Sequence, residues 1–236
     1  MNIPIYIAHY TPLKERKIHM DKELARFNLT PIYITKYDRE NLIHEDIVKY
    51  VAHRKNHDGT FSYSIKLSEI SLICKHMHIY ETMIKDDIPE AIVFEDDVAL
   101  YDNFDNKFID YYKQLPDNWD IFYFGSGWNL HVPKKVVEEK GGNVFLKGNN
   151  GVGGWSPEHK NDKWPICSGS TRCTDSYLIT KNAAQKILNY YKRRKFNIPL
   201  DIHLNQCFRD MGFKSYWGEP SLCKQDFFPS SIKSTN

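Results

Sequence analysis

The stretch Ala91-Ile92-Val93-Phe94-Glu95-Asp96-Asp97-Val98-Ala99-Leu100 sets three adjacent carboxylates inside an apolar run. The run is rich in β-branched and aromatic residues and follows Pro89. It reads as a buried parallel strand, with the acids at or just past its C-terminal end. Three like charges buried side by side would cost several kcal/mol per ion unless something positive faced them. A divalent cation answers that need, because hard cations take carboxylate oxygens. A solvated turn after a strand is the plain alternative, and the apolar flanks on both sides argue against it.

Alternating strands and helices surround these acids. Ile3 to Ala8 reads as a first strand. Thr11 is placed to cap the next helix with Pro12 at its first position. That helix runs from Lys14 to Phe27, with Ile18, Leu24 and Phe27 on its buried stripe. Pro31 to Thr35 is the second strand, and strand–helix–strand with this connection makes a parallel pair. Ligands of such sheets gather beyond the strand C-termini, so His9, Tyr10, Tyr37 and Asp38 belong on the same edge as the acids. Ser68 to about Lys85 reads as a helix whose Ile70, Ile73, Met77 and Tyr80 recur at core spacing, with Lys75 and His76 outside that run. Asp102 to Leu115 is a helix and Trp119 to Phe124 a buried strand. From about 126 to 170 the pattern dissolves into a long Gly- and Trp-containing loop, of the kind that forms lids and binding loops. Trp128, Trp155 and Trp164 would either stack on a sugar or base or anchor the loop to the core. Thr174 to Thr180 reads as a strand and Asn182 to Lys192 as a helix, with Ala183, Ile187 and Tyr190 buried. A helix after Pro199 and a late strand at Phe213 to Trp217 follow.

With 236 residues, 41% of them hydrophobic, the chain can build one sizeable α/β core, and no composition shift marks a second domain. A net charge of +2 leaves no whole-chain nucleic-acid footprint. Lys192-Arg193-Arg194-Lys195 is local and suits the solvated end of a helix. The five cysteines are odd in number and match no zinc spacing, which favours a reducing compartment. No signal peptide opens the sequence, and no apolar stretch reaches the roughly 20 residues a membrane span needs. The expectation is a cytoplasmic protein with no transmembrane anchor. The sequence leaves its oligomeric state open.

Taken in order, several pieces make the chain similar to glycosyltransferase family 25, the group that includes lipooligosaccharide β-galactosyltransferases and collagen galactosyltransferase domains. They are the opening strand with Arg16 after it, Tyr37-Asp38, Glu69 followed by His76, and Glu95-Asp96-Asp97. Then come Tyr177-Leu178-Ile179 with Ala183 or Ala184, Pro199-Leu200-Asp201, and a closing Pro220, Gln225 and Ser231-Ile232. Two positions depart from the family pattern. Lys75 stands where a serine usually precedes the histidine, and Ser230 stands in a tail that often reads Ser-Asp-Ile.

The resemblance implies a single glycosyltransferase domain over residues 1–236. It would have a GT-A fold with a mostly parallel central sheet flanked by helices and a nucleotide-sugar site at the strand C-terminal ends. It implies a nucleoside-diphosphate sugar donor such as a UDP-hexose, a glycan or glycoprotein acceptor, and Mn2+ or Mg2+. Such a cation clamps two phosphates and takes one or two protein carboxylates. Side chains alternate along an extended segment, so Glu95 and Asp97 should face one way. Asp97 is then the expected metal ligand. Glu95 is a second ligand, or a contact to the ribose or to a metal-bound water, and Asp96 turns inward to hold the strand end. Ala8, His9, Tyr10, Tyr37 and Asp38 should hold base and ribose. Arg16 and Lys75 join the donor site, Lys75 at a diphosphate or acceptor contact.

Transfer to a hydroxyl also needs a base. Asp201 is the first candidate and Asp175 the second, the plainer alternative being that Asp201 is only the N-cap of the helix it starts. A single base and no dedicated second carboxylate imply inversion. Two other classes stay open. One is a degenerate sugar- or nucleotide-binding module, against which the retained Glu95-Asp96-Asp97 argues. The other is a metal-dependent nucleotidyl or phosphoryl transferase, which lacks its glycine-rich loop after the first strand.

Overall fold

The computed structural model describes residues 3–132, 134–147, 172–226 and 228. In chain order the elements are β1 (Ile5–Ala8), α1 (Lys14–Ala25), β2 (Pro31–Ile34), α2 (His44–Tyr50), β3 (His53–Lys55), β4 (Phe61–Tyr63), α3 (Leu67–Lys85), β5 (Glu90–Glu95) and β6 (Val98–Leu100). They continue with α4 (Phe104–Tyr112), β7 (Ile121–Tyr123), α5 (Lys134–Lys140), β8 (Val144–Lys147), β9 (Ser176–Thr180), α6 (Lys181–Arg193), α7 (Leu200–Asp210), β10 (Ser215–Gly218) and β11 (Cys223–Gln225).

Seven strands form the central sheet in the order β2-β1-β5-β9-β7-β10-β8. Five run one way, while β9 and the edge strand β8 run against their neighbours. The sheet is buried on both faces, which explains the continuous apolar runs of β1 and β5. Ile5, Ile7, Ile92 and Phe94 pack on α1 and α4 through Met20, Leu24, Phe104 and Phe108. The alternate residues Tyr6, Ala91 and Val93 pack on α2, α3 and α6.

Some local expectations shift. Leu13, not Thr11, occupies the cap of α1. Thr11 instead turns its hydroxyl to Asp38. The buried residues of α1 are Arg16, Met20 and Leu24, and Ile18 is exposed. The segment from 126 is not uniformly irregular: it holds a 3-10 turn at Gly127–Asn129, then α5 and β8. Trp155 and Trp164, the rest of the expected loop and Ser231-Ile232 lie outside the described residues. No helix among the described residues is long and apolar enough to cross a membrane.

Candidate active site

Strands β1, β5, β9 and β7 bring one row of residues to the same sheet edge. Ala8 pairs with Glu95. The β5–β9 ladder ends at Phe94 opposite Ser176, and one step further the Glu95 N–H donates to the Asp175 carbonyl at 2.8 Å. On the other side of β9, Tyr123 pairs with Tyr177, which carries Gly125 to the level of Asp175. The row therefore reads Ala8, Glu95, Asp175, Gly125: two acids flanked by the two smallest kinds of residue.

The three consecutive acids part company because β5 ends at Glu95 and a turn takes Asp96 and Asp97. The alternation that should set Glu95 and Asp97 facing one way is thereby lost. Asp96 turns inward and is buried. Its Oδ2 lies 2.7 Å from His9 Nδ1, which must donate because a carboxylate only accepts, and it takes the Tyr10 N–H at 3.1 Å. Arg16 Nη1 donates to Asp96 Oδ1 at 2.8 Å and to Asp97 Oδ2 at 3.2 Å. Burial raises the Asp96 carboxyl, but the His9 and Arg16 hydrogen bonds outweigh it and hold the group below its ordinary value.

The other acids go the opposite way. Burial pushes Asp97 up to about 6 despite Arg16, and its Oδ1 is buried with no hydrogen-bond partner. Burial, then the charge of Asp97, raises Glu95 well above the ordinary range, although the Thr174 hydroxyl donates to it at 2.6 Å. Asp175 is fully buried and pushed up to about 7 by that burial, with Asp97 adding to it. Its Oδ2 accepts from the Ser176 hydroxyl at 2.7 Å, and its Oδ1 has no partner. Three carboxylates that resist ionisation, two with orphaned oxygens, make a place where positive charge is wanted. Among the described residues no group of three His, Cys, Asp or Glu closes into a cage for a metal. A nucleotide-bound cation needs no such cage, since it takes one or two carboxylates and fills its shell with phosphate oxygens and water. The donor set therefore fits Mn2+ or Mg2+.

Beside this row opens a cleft lined by Ala8, Tyr10, Arg16, Lys75, Glu95 and Asp96 from the expected set. Arg39, Ser68, Ser71 and Leu72 line it as well, and sequence reading missed them. Ser68, Ser71 and Leu72 sit at i, i+3 and i+4 on the first turns of α3, a spacing that could have flagged one face. His9, Asp38, Tyr37 and the expected metal ligand Asp97 are not among the residues that line the cleft. His9 lies beneath it under Asp96. Asp38 is buried and accepts from Lys75 Nζ at 2.8 Å. Lys75 spends its other donors on the carbonyls of Lys36 at 2.8 Å and Ile34 at 3.4 Å. All three ammonium donors thus serve the fold, and Lys75 acts as a strut in the cleft wall. Tyr37 adopts a left-handed backbone (φ 72°), packs its ring edge-on to His78, and offers its carbonyl to the Ser71 hydroxyl at 2.6 Å. Its contribution is to shape the cleft wall.

Asp201 stands in the first turn of α7, whose cap position is Pro199. It is therefore not the N-cap, and its Oδ1 takes the adjacent Ile202 N–H at 2.8 Å. Burial raises its carboxyl, and Glu69 adds to that. It does not line the cleft. Burial raises the Cys173 thiol, and the charges of Asp175, Asp201, Glu95 and Asp97 add to that. A second groove, lined by Tyr63, Lys66, Glu69, Asn197 and Pro199, runs up to the start of α7.

Arg172 was not singled out from the sequence. It is fully buried, donates to the carbonyls of Gly125 at 3.1 Å and Gly218 at 2.6 Å and to Glu219 at 2.6 Å, and lies over the Trp217 ring. It thereby pins the Gly125-Ser126-Gly127 turn against Asp175.

The sequence model of the family described as "Glycosyltransferase family 25 (LPS biosynthesis protein)" matches residues 2–204. No curated protein matches the chain. Among solved structures, the chain is similar to the apo crystal structure of mouse xyloside xylosyltransferase 1 at 13% identity and a TM-score of 0.31, over 89% of this chain and 63% of that one. The chain thus spans less than two thirds of that structure.

Proposed function

The chain belongs to glycosyltransferase family 25, and on that premise we propose that it moves a sugar from a nucleoside-diphosphate donor, a UDP-hexose in our reading, to a hydroxyl of a glycan or protein acceptor. We read the domain as a GT-A fold that works with Mn2+ or Mg2+ and inverts the anomeric carbon. The observation that carries this is the pair of acids at the strand ends: Glu95 lines the cleft, Asp97 follows it in the adjoining turn, both resist ionisation, and Asp97 keeps a buried oxygen without a partner.

Asp97 and Glu95 would hold the cation, which when bound neutralises the diphosphate leaving group. The protein's own residues supply the rest. Tyr10 with Arg39 stacked over its ring offers a flat surface for the base, and Ser68 and Ser71 line the same cleft. Asp96, locked by His9 and Arg16, fixes the turn that presents Asp97. Asp201 takes the proton from the acceptor hydroxyl as it attacks. Its raised carboxyl moves a carboxylate towards the basicity that such a step favours. The groove ending at α7 would seat the acceptor. One base acting on the face opposite the leaving group gives a single displacement and a β-linked product from an α-linked donor.

The test is a panel of sugar nucleotides with Mn2+, scored for release of nucleoside diphosphate and, with acceptor, for anomeric configuration by NMR. Release from one or a few donors and a β-linked product are expected. No release from any donor, or an α-linked product, overturns this reading.

A further inference from the structure

The family model matches no further than residue 204, yet the chain beyond it returns to the turn that carries Asp97. That turn lies between β5 and β6. Strand β11 pairs antiparallel with β6, setting Cys223 opposite Leu100 and Gln225 opposite Val98. One step further the Asp226 N–H donates to the Asp97 carbonyl at 2.7 Å. The same segment is tied to the end of β7, where the Leu222 N–H donates to the Phe124 carbonyl at 2.7 Å and Cys223 bridges to Gly125. Phe228 then meets α1. Its ring centroid lies 5.4 Å from the Arg16 guanidinium carbon and 5.2 Å from the His19 ring, edge-on at 70°. Arg16 and His19 are spaced i, i+3 and share one helix face. Both reach the acid turn: Arg16 Nη1 donates to Asp96 and Asp97, and His19 Nε2 donates to the Val98 carbonyl at 2.8 Å. The Arg16 side chain is only 6% exposed, and a ring against a guanidinium counts most where water is excluded. The ring limits where the guanidinium can go, and Asp97 is hydrogen-bonded to that guanidinium. Phe228 lines neither the cleft nor the second groove, so any effect it has on the chemistry passes through the residues it touches.

We propose that β11, Asp226 and Phe228 clamp the acid turn, and that Phe228 is a positioning residue for sugar transfer, holding Arg16 against Asp97. The part concerning transfer rests on the role given to Asp97 above; the clamp itself does not.

The experiment compares Phe228→Leu, which keeps an apolar side chain without a ring, with Phe228→Tyr, which keeps the ring. Amide hydrogen exchange of the whole chain is measured in chelator. Release of nucleoside diphosphate is measured with Mn2+ and the sugar nucleotide that wild type uses best. In Phe228→Leu the amides of Asp97–Leu100 and Asp226 should exchange about 2- to 30-fold faster, the loss of a buried cation–π contact read in the local opening equilibrium. Those of α6 should keep their wild-type rates. Its kcat should fall about tenfold or more through misplacement of Asp97, with KM within about twofold because no donor contact is lost. Phe228→Tyr should match wild type in both measurements. Phe228→Met replaces the leucine variant should that one melt near the assay temperature. Wild-type exchange in the ring-less variant, a kcat within about twofold of wild type, or a tyrosine variant as impaired as the leucine one overturns the proposal. A wild type that releases nothing from any donor overturns the transferase reading, and the exchange rates then decide the clamp by themselves.

Discussion

The Lys75–Asp38 pair gives the sharpest test of how the cleft is supported. Both side chains are almost wholly buried, at 3% and 4% exposure. Lys75→Met keeps much of the length and removes the charge. Asp38 then keeps only Thr11 as a partner, through its amide and hydroxyl, and its charge is stranded in a buried site. Breaking one side of a buried pair costs about 3–5 kcal/mol. The two carbonyls that lose Lys75 add roughly 0.5–1.5 kcal/mol each, so far as water cannot replace it. For a domain of this size each kcal/mol moves Tm by about 2–4 °C, so a drop of roughly 10 °C or more is expected. Urea unfolding followed by far-UV circular dichroism measures the free energy directly. Lys75→Met combined with Asp38→Asn removes the stranded charge and should recover a large part of the loss. If Lys75→Met stays within about 1 kcal/mol of wild type, or if the double variant is no better than the single, the pair is not the strut described here.

Three further outcomes are expected. Asp201→Asn should lower transfer by about 10²-fold or more while leaving circular dichroism and donor affinity unchanged; normal transfer in a steady-state assay would remove Asp201 from the reaction. Gly127→Ala drives a methyl to 2.5 Å from Asp175 Oδ1, an overpacking worth about 1–3 kcal/mol, so an unchanged thermal melt would contradict the tight slot. His76 is wholly buried, and burial pushes its imidazole down to about 3. The unfolded chain therefore takes the proton first, and the contribution of His76 to stability is complete above about pH 6.5 and lost as the pH falls towards 3. By the full shift this is on the order of 4–5 kcal/mol at most. The stability of His76→Phe relative to wild type should then be constant above pH 6.5 and improve on acidification. A pH-independent difference in urea unfolding would contradict it.

Much of the fold was legible because local pattern and tertiary role agreed. The run to Phe94 looked like a buried strand and is one, with Ile92, Val93 and Phe94 at 0% exposure. Where they disagreed, packing decided. Helix α3 shows a core stripe at Ile70, Ile73, Met77 and Tyr80, yet Lys75 and His76 off that stripe are also buried. One is held by Asp38, the other by the Tyr177 hydroxyl at 2.7 Å, and such partners lie far away in sequence. The carboxylate triplet announced a site, but the turn that separates Glu95 from Asp96 and Asp97 does not show in a string of acids. Arg172 sits beside a stretch that reads as loop, and only pairing across β9 shows that it fixes the turn beside Asp175. Of the cleft wall, Arg39 and the α3 serines carry no chemistry-specific signal until α3 is laid along the sheet edge.

Strand β9 has a consequence for the order of events during synthesis. It is the seam of the sheet: β2, β1 and β5 lie on one side, β7, β10 and β8 on the other, and only β9 hydrogen-bonds to both. Eighty residues separate Glu95 from Asp175, so a ribosome adding about 5–20 residues per second leaves β5 without that neighbour for several seconds. Through that interval the Ile92–Phe94 edge can pair with the wrong strand of this chain or another. The acid row spans the same seam, so a nascent or truncated chain that ends before Ser176 carries the signature Glu95-Asp96-Asp97 and still lacks the strand that pairs with β5 and sets Asp175 beside Glu95.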